Sequence, residues 1–335
     1  MSATATGTEL PSDQPAERRG ESDLPPGIGP YQLAWRRLRR NKVALVFGVV
    51  FLVIVVLCLL APVYAHDIAH TGPNDPHTDK ALNSVGLPIG PTWKGRFFLG
   101  ADEVGRDVAV RLLYGGRNSL EIGAEATLIT IVLATLLGIV AGYFRGPLDG
   151  LISRAFDLIW AYPVYLLGIV LGVVLAIGGL DLGLFKIGGN SLLITSMIIG
   201  LVYTPYVGKP IRGQVLALRE REFIDAARQQ GLGHVKIMIG EILPNVASTI
   251  IVFIPLVLAN AILTEAGLSF LGAGVRPPNA SWGTMIGEGI GLLPAAIHSV
   301  LVPGIMLVLA VLGINVFGDG VRDALDPRAK IRIDH

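Results

Sequence analysis

Charge is scarce in this chain. Only 16% of its 335 residues are Asp, Glu, Lys or Arg, whereas 52% are hydrophobic; a soluble domain averages about a quarter charged. The mean hydropathy of +0.60 agrees, so the composition is that of a membrane protein. A net charge of +1 leaves no basic excess to hold nucleic acid. The one cysteine, Cys58, lies in an apolar run, which excludes an intramolecular disulfide and leaves it a packing role. No phosphate cradle is present either. Gly208-Lys209 is followed by Pro210 and lacks the earlier glycine of a nucleotide-binding loop, so the chain cannot hydrolyse ATP alone. Metalloprotease, cysteine-cluster and nucleophile-elbow motifs are missing, and the six histidines have no metal-ligand spacing, so neither an enzyme nor a metal or cofactor site is expected. The polar N-terminus also lacks the short apolar core and cleavage site of a signal peptide, and the first long apolar run is expected to stay in the membrane.

What the chain does contain is long apolar runs. Six stretches suit a bilayer-crossing helix of about twenty residues: roughly 43–65, 119–142, 156–179, 191–210, 246–270 and 296–318. The expected fold is therefore an all-α integral membrane protein with six transmembrane helices. Residues 1–29, rich in Ser, Thr, Pro, Gly, Asp and Glu, cannot bury enough apolar surface to offset chain entropy and read as disordered. Residues 30–42 form a basic segment with Tyr31, Leu33, Trp35 and Leu38, suited to a lipid headgroup surface and equally to a positive flank of the first span. With both termini inside, 19 of the 27 Lys and Arg fall on the cytoplasmic side, Lys209 among them, and the positive-inside rule favours that orientation. The resulting scheme has an external loop at 66–118, a core transmembrane domain at 119–320 with a cytoplasmic loop at 211–245, and a cytoplasmic tail at 321–335. In the external loop, Val104, Val108, Arg111 and Leu112 have helical spacing and predict an amphipathic helix at the outer interface.

Between the fourth and fifth apolar runs lies a charged island of 27 residues, Arg219 to Asn245. So polar a run must stand outside the hydrocarbon and face an aqueous partner. Phe223, Ala226, Ala227 and Gln230 suit one short helix, Gly231 and Gly233 break it, and Val235, Ile237, Met238, Ile239, Ile242 and Leu243 supply a second. The expected product is a helix-turn-helix on the membrane face. Its paired alanines would admit a partner surface, with Arg219, Arg221, Glu222, Asp225 and Arg228 fixing orientation.

The run Asp225-Ala226-Ala227, then Gly231, then Glu241-Ile242-Leu243-Pro244, resembles the cytoplasmic motif of ABC importer permease subunits. Asp225 stands where that family usually has Glu, and Glu241 where it often has Ile. The resemblance narrows at Leu99-Gly100-x-Asp102-x-x-Gly105-Arg106-Asp107 and Arg111 to Gly115, which look like the start of the transmembrane domain of dipeptide, oligopeptide and nickel permeases of the second-subunit type. Arg154 to Asp157 with Tyr162-Pro163, Glu265 to Gly274, Pro277-Pro278 with Trp282-Gly283, and Gly318 to Pro327 extend it across about residues 30–330. It implies the ABC importer permease fold in the cytoplasmic (inner) membrane. The island would be a coupling helix that docks on an ATP-hydrolysing subunit through Glu222, Asp225, Ala226, Ala227, Gly231 and Pro244. It implies as partners a homologous second permease subunit, two ABC ATPase subunits carrying ATP and Mg, an extracytoplasmic substrate-binding protein and membrane lipid. Cargo of this type is di- or oligopeptides or related small solutes, nickel complexes included.

Ionisable residues within spans are functional candidates. Glu121 and Glu125 near the outer end of span two, and Glu265 near that of span five, are candidates for lining a translocation path. Asp157 is expected to pair structurally with Arg154, three residues earlier. Tyr162-Pro163 and Tyr203-Thr204-Pro205-Tyr206 are expected to interrupt spans three and four. An ion-gradient-driven transporter or channel would instead need inverted repeats and midplane charges, and a membrane scaffold would transport nothing.

Overall fold

The computed structural model describes residues 30–325 except 182, 184, 185 and 190; the segment 1–29 read as disordered, and most of the 321–335 tail, lie outside them. The first helix, α1 (Pro30–Arg40), packs on the chain rather than on lipid alone. Ala34 and Leu38 are buried in one cluster with Ala44 and Ala324, so the basic segment clamps the start of the first span to the end of the last. Asn41 then caps α2 (Lys42–Leu59), its side chain accepting from the Ala44 N–H at 3.1 Å.

The first span breaks earlier than the apolar run suggests. After α2 come α3 (Ala61–Val63), with Pro62 in its first turn, and a π-helical turn at Tyr64–Ala69 that ends on left-handed His70. The outer loop contains one helical turn, α4 (Thr78–Ala81), and no interfacial helix. The expected amphipathic stripe instead forms the first turns of α5 (Val108–Phe144), 37 residues that reach about 55 Å, far more than a hydrocarbon core of about 30 Å. Val108, Arg111 and Leu112 are buried in the chain's own packing, while Val104 lies in a preceding turn and is exposed. Helical spacing was real, but protein rather than lipid covers the stripe: the Trp282 indole donates to the Leu112 carbonyl at 3.1 Å.

The third apolar run is bent rather than straight. Helices α6 (Gly146–Trp160) and α7 (Val164–Gly178) meet at 92°, because Pro163 has no N–H to continue the ladder. A two-stranded hairpin, β1 (Leu180–Asp181) with β2 (Lys186–Ile187), closes the outer turn. Helix α8 (Leu192–Leu218) then runs unbroken through Pro205 and Pro210, eight residues past its expected end, so the Tyr203–Tyr206 segment does not interrupt it.

Two short helices, α9 (Glu222–Gln229) and α10 (His234–Ile237), follow, but only α9 stands apart. The second runs through a π-helical segment (Met238–Ile242) into α11 (Leu243–Phe270), one continuous length of 37 residues. The capped α12 (Trp282–Gly289) and α13 (His298–Leu325) complete the described residues. Among the described residues, five helical lengths are long and apolar enough to span a membrane, and the bent α6–α7 pair makes six.

The α5–α8 pair forms the spine. Glycines permit the approach: a Cβ on Gly138 would meet the Gly208 carbonyl at 2.9 Å, and one on Gly142 the Arg212 carbonyl at 2.9 Å. The Thr130 hydroxyl donates across the same seam to the Gly200 carbonyl at 3.0 Å. Cys58 packs into an apolar cluster with Trp282, the filler role its surroundings suggest.

Candidate coupling surface and translocation face

Helix α9 is short, and its ends hold it. Glu222 and Asp225 complement the first turn, Arg228 the last, and Arg228 pairs with Asp225 at 3.0 Å. At the far end Gly231 takes φ +77°, the Leu232 N–H reaches the Ala227 carbonyl at 3.2 Å, and the Gly231 N–H reaches the Arg228 carbonyl at 2.9 Å. This is a Schellman stop that needs a residue tolerant of left-handed backbone.

The two alanines part company. Ile224 and Ala227, 0% and 5% exposed, sink into a cluster with Ile211, Val215, Ile237, Ile242 and Val246. Glu222, Phe223, Asp225, Ala226, Gln229 and Gln230 remain outside. The expected face of Phe223, Ala226, Ala227 and Gln230 is therefore split, because the apolar residue that sets the inward direction is Ile224. Ala227 fixes α9 to the bases of α8 and α11, and Ala226 offers small-residue access from outside. The Tyr143 hydroxyl meets His234 Nδ1 at 2.9 Å and Arg228 sits 5.8 Å above the Tyr143 ring, tying the island to α5. Pro244 is exposed in the first turn of α11, and Ile242 beside it is buried.

The acidic candidates occupy three different environments. Glu121 is exposed on α5. Glu125, half-buried, accepts from the Ser196 hydroxyl at 2.7 Å. Glu265 is 0% exposed, sealed beside Ser119 and Ser281; one oxygen accepts from Ser269 at 2.6 Å and the other has no hydrogen-bond partner among the described residues. Asp157 pairs with Lys209 of α8 at 2.8 Å, not with Arg154.

A further face went unread in the sequence. The sides of α8 left unburied carry Tyr203, Tyr206, Lys209, Pro210, Gly213 and Gln214 at helical spacing, where a lipid-facing stripe would be aliphatic. Its counterpart on α11 carries Asn245, Ser248, Thr249 and Phe253. The two faces touch: Thr249 donates to Gln214 at 2.7 Å, and the Tyr206 and Phe253 rings lie 5.7 Å apart. A period-3.6 count of polar and aromatic residues along α8 was the available signal, hidden because the apolar run was taken to end at 210. Lys209 then looked like a cytoplasmic flank. In the structure it stands nine residues before Leu218, about 14 Å along the helix.

The outer end is held by buried charge. Glu288 of α12 accepts from Arg106 and Arg111, each at 2.8 Å, and Asp102 also faces both arginines. Arg111 is 1% exposed. Asp107 caps α5 by accepting from Ala109 and Val110 at 2.9 and 3.2 Å. Burial pushes its carboxyl above the ordinary value, against the lowering effect of its backbone N–H bonds and of Arg96.

A bundle of five long helices and a bent sixth among the described residues, with a short charged helix exposed at one end and a polar face along α8 and α11, suits a membrane permease. The match to known families is specific. Residues 134–331 match the binding-protein-dependent transport system inner membrane component family, and the chain belongs to it. Residues 29–83 match the N-terminal transmembrane domain of oligopeptide transport permease C. The chain is 35% identical over 324 residues to the dipeptide transport system permease protein DppC of Alkalihalophilus pseudofirmus, covering 96% of both chains. It is 34% identical over 305 residues to the di/tripeptide transport system permease protein DppC of Pseudomonas aeruginosa, covering 90% of this chain and 93% of that one. Its fold is similar to a chain of the inward-facing MetNI methionine ABC transporter, with a TM-score of 0.51 at 17% identity, over 64% of this chain and 96% of that one. The protein is thus an inner-membrane permease of the ABC importer type, a transport component and not an enzyme.

Proposed function

We propose that this permease moves di- or oligopeptides into the cytoplasm, powered by two ABC ATPase subunits that carry the ATP and Mg and dock on the outer face of α9. A homologous second permease completes the pore, and an extracytoplasmic substrate-binding protein delivers the cargo. The peptide assignment rests on the relatives at 34–35% identity. The observation that carries the coupling role is the division of α9 into two sides. One is welded through Ile224 and Ala227 to the bases of α8 and α11; the other is exposed and charged. Force applied to the exposed side would pass through that shared cluster toward the bases of α8 and α11. The site residues are then Glu222, Asp225 and Ala226 at the docking face, with Ala227, Gly231 and Pro244 holding its geometry. Glu121 and Glu125 remain proposed for the outer part of the path. The sealed carboxyl of Glu265 would reach that path only in another conformation.

The test is assembly and uptake in a reconstituted complex. Ala226→Trp should abolish retention of the ATPase subunits while the permease still inserts in the membrane; normal retention would remove α9 from the interface. Orientation is read separately in a Cys58→Ser background. A cysteine at Gln229 should resist a membrane-impermeant thiol reagent in intact cells and one at Asn74 should label, the reverse pattern overturning the cytoplasmic placement.

A further inference from the structure

Beside the face formed by α8 and α11, Lys209 of α8 and Asp157 of α6 form an ion pair that the packing does not explain. Lys209 and Asp157 meet at 2.8 Å with side chains 36% and 56% exposed. So open a pair contributes little to stability, yet it places two charges on elements long and apolar enough to span a membrane, where ionisable groups tend to serve function. The neighbouring Arg212–Asp149 pair differs. Its two guanidinium nitrogens grip both oxygens of a carboxylate that is only 16% exposed, a structural fork.

Around the open pair stand aromatic rings. Lys209 Nζ sits 4.8 Å above the Trp160 ring. Trp160 lies 6.3 Å from Tyr206, which also faces Tyr203 at 6.3 Å and Phe253 at 5.7 Å. Beside them a groove of about 490 Å³, bordered by Tyr206, Ser248, Thr249 and Phe253, opens from the same face. That size falls in the range of small-ligand sites, about 300–1,000 Å³.

We propose that Asp157 and Lys209 are a binding site for the two charged ends of a short peptide, with Trp160, Tyr206 and Phe253 receiving its side chains; this rests on the reading of the cargo as peptide. A zwitterion can exchange with the resting pair one for one. Its carboxylate takes Lys209 and its ammonium takes Asp157, so no charge is left unpaired. A peptide blocked at both ends cannot make that exchange. Rings accept side chains of varied shape by surface contact, which suits a path that must pass many sequences.

The experiment compares ATP-dependent uptake of alanyl-alanine and N-acetyl-alanyl-alanine amide by the full complex with its binding protein in proteoliposomes. Because the binding protein is the same throughout, the ratio of the two uptakes reports on the permease. In Asp157→Asn/Lys209→Met, which removes both charges and strands neither, the ratio of free to blocked peptide should fall about tenfold or more, the worth of one charge-assisted hydrogen bond. Lys209→Arg should keep the wild-type ratio. An unchanged ratio in the double variant, or equal loss of both peptides, would make the pair structural and overturn the site. A wild-type complex that moves neither peptide overturns the peptide reading itself, and the site with it.

Discussion

The two ends of this permease are held together by opposite means. At the outer end, Arg106, Arg111, Asp102 and Glu288 form a nearly dry network, and Asp107 caps α5 from a fully buried position. At the inner end the fastening is aliphatic: Ile224 of α9 is buried in one cluster with Ile211, Val215, Ile237 and Ile242 while the charges of α9 stay exposed. Buried charge is specific in geometry and fails severely when one partner is removed. Aliphatic burial is tolerant of direction and leaves the polar surface free to orient a docking partner. The outer end is thus built to hold one loop in place, and the inner end to present a surface.

That contrast can be broken by substitution, beginning with the outer network. Arg111→Met leaves Glu288 and Asp102 to share Arg106 alone, with one buried negative charge uncompensated, and should cost about 3–5 kcal/mol, seen as a large drop in the detergent melting temperature and in membrane yield. Wild-type yield would mean that the charges are not mutually dependent. Ala227→Trp should overpack the α9 seam by about 1–3 kcal/mol and expose the island to protease in inverted vesicles. The neighbouring Ala226→Trp should leave protection unchanged and act only on ATPase docking. Equal protease sensitivity would erase the distinction between the two alanines.

A smaller effect is expected at the turn. Gly231→Val forces a β-branched residue into left-handed backbone at about 1–2 kcal/mol, although no neighbouring atom crowds its Cβ. The permease should insert at normal levels and lose substrate-stimulated ATP hydrolysis; full stimulation would take the turn out of the transmission. Smallest is Asp225→Asn, which breaks an exposed pair with Arg228. Melting should shift by no more than about 1 kcal/mol equivalent, while the association rate with the ATPase subunits loses part of its salt dependence. A salt dependence like that of the wild type would leave the pair without a steering role.

Much of the site was legible because polar residues are conspicuous in an apolar chain. The charged island, the helix at Asp225–Ala227 and the stop at Gly231 could all be read from residue type and spacing. Spacing did not tell which alanine faces inward, since Phe223 and Ile224 are equally apolar in sequence and only the cavity between α5, α8 and α11 selects Ile224. The end of α8 was misplaced for a related reason: hydropathy marks where an apolar run ends, not where the helix ends, and α8 continues through polar residues because α5 packs against it.

The sequence by itself determined that the chain is helical and membrane-embedded, how many crossings its apolar runs allow, and where its short charged helix lies. Each follows from a local property, the length of an apolar run or the backbone freedom of one glycine. Tertiary structure alone decided that α5 rises from the outer loop as one rod, that α6 and α7 part at 92°, and that Asp157 finds Lys209 rather than Arg154. These depend on which surfaces meet across the fold: Glu288 reaches Arg111 from 177 residues away, and no reading of near neighbours contains that partner.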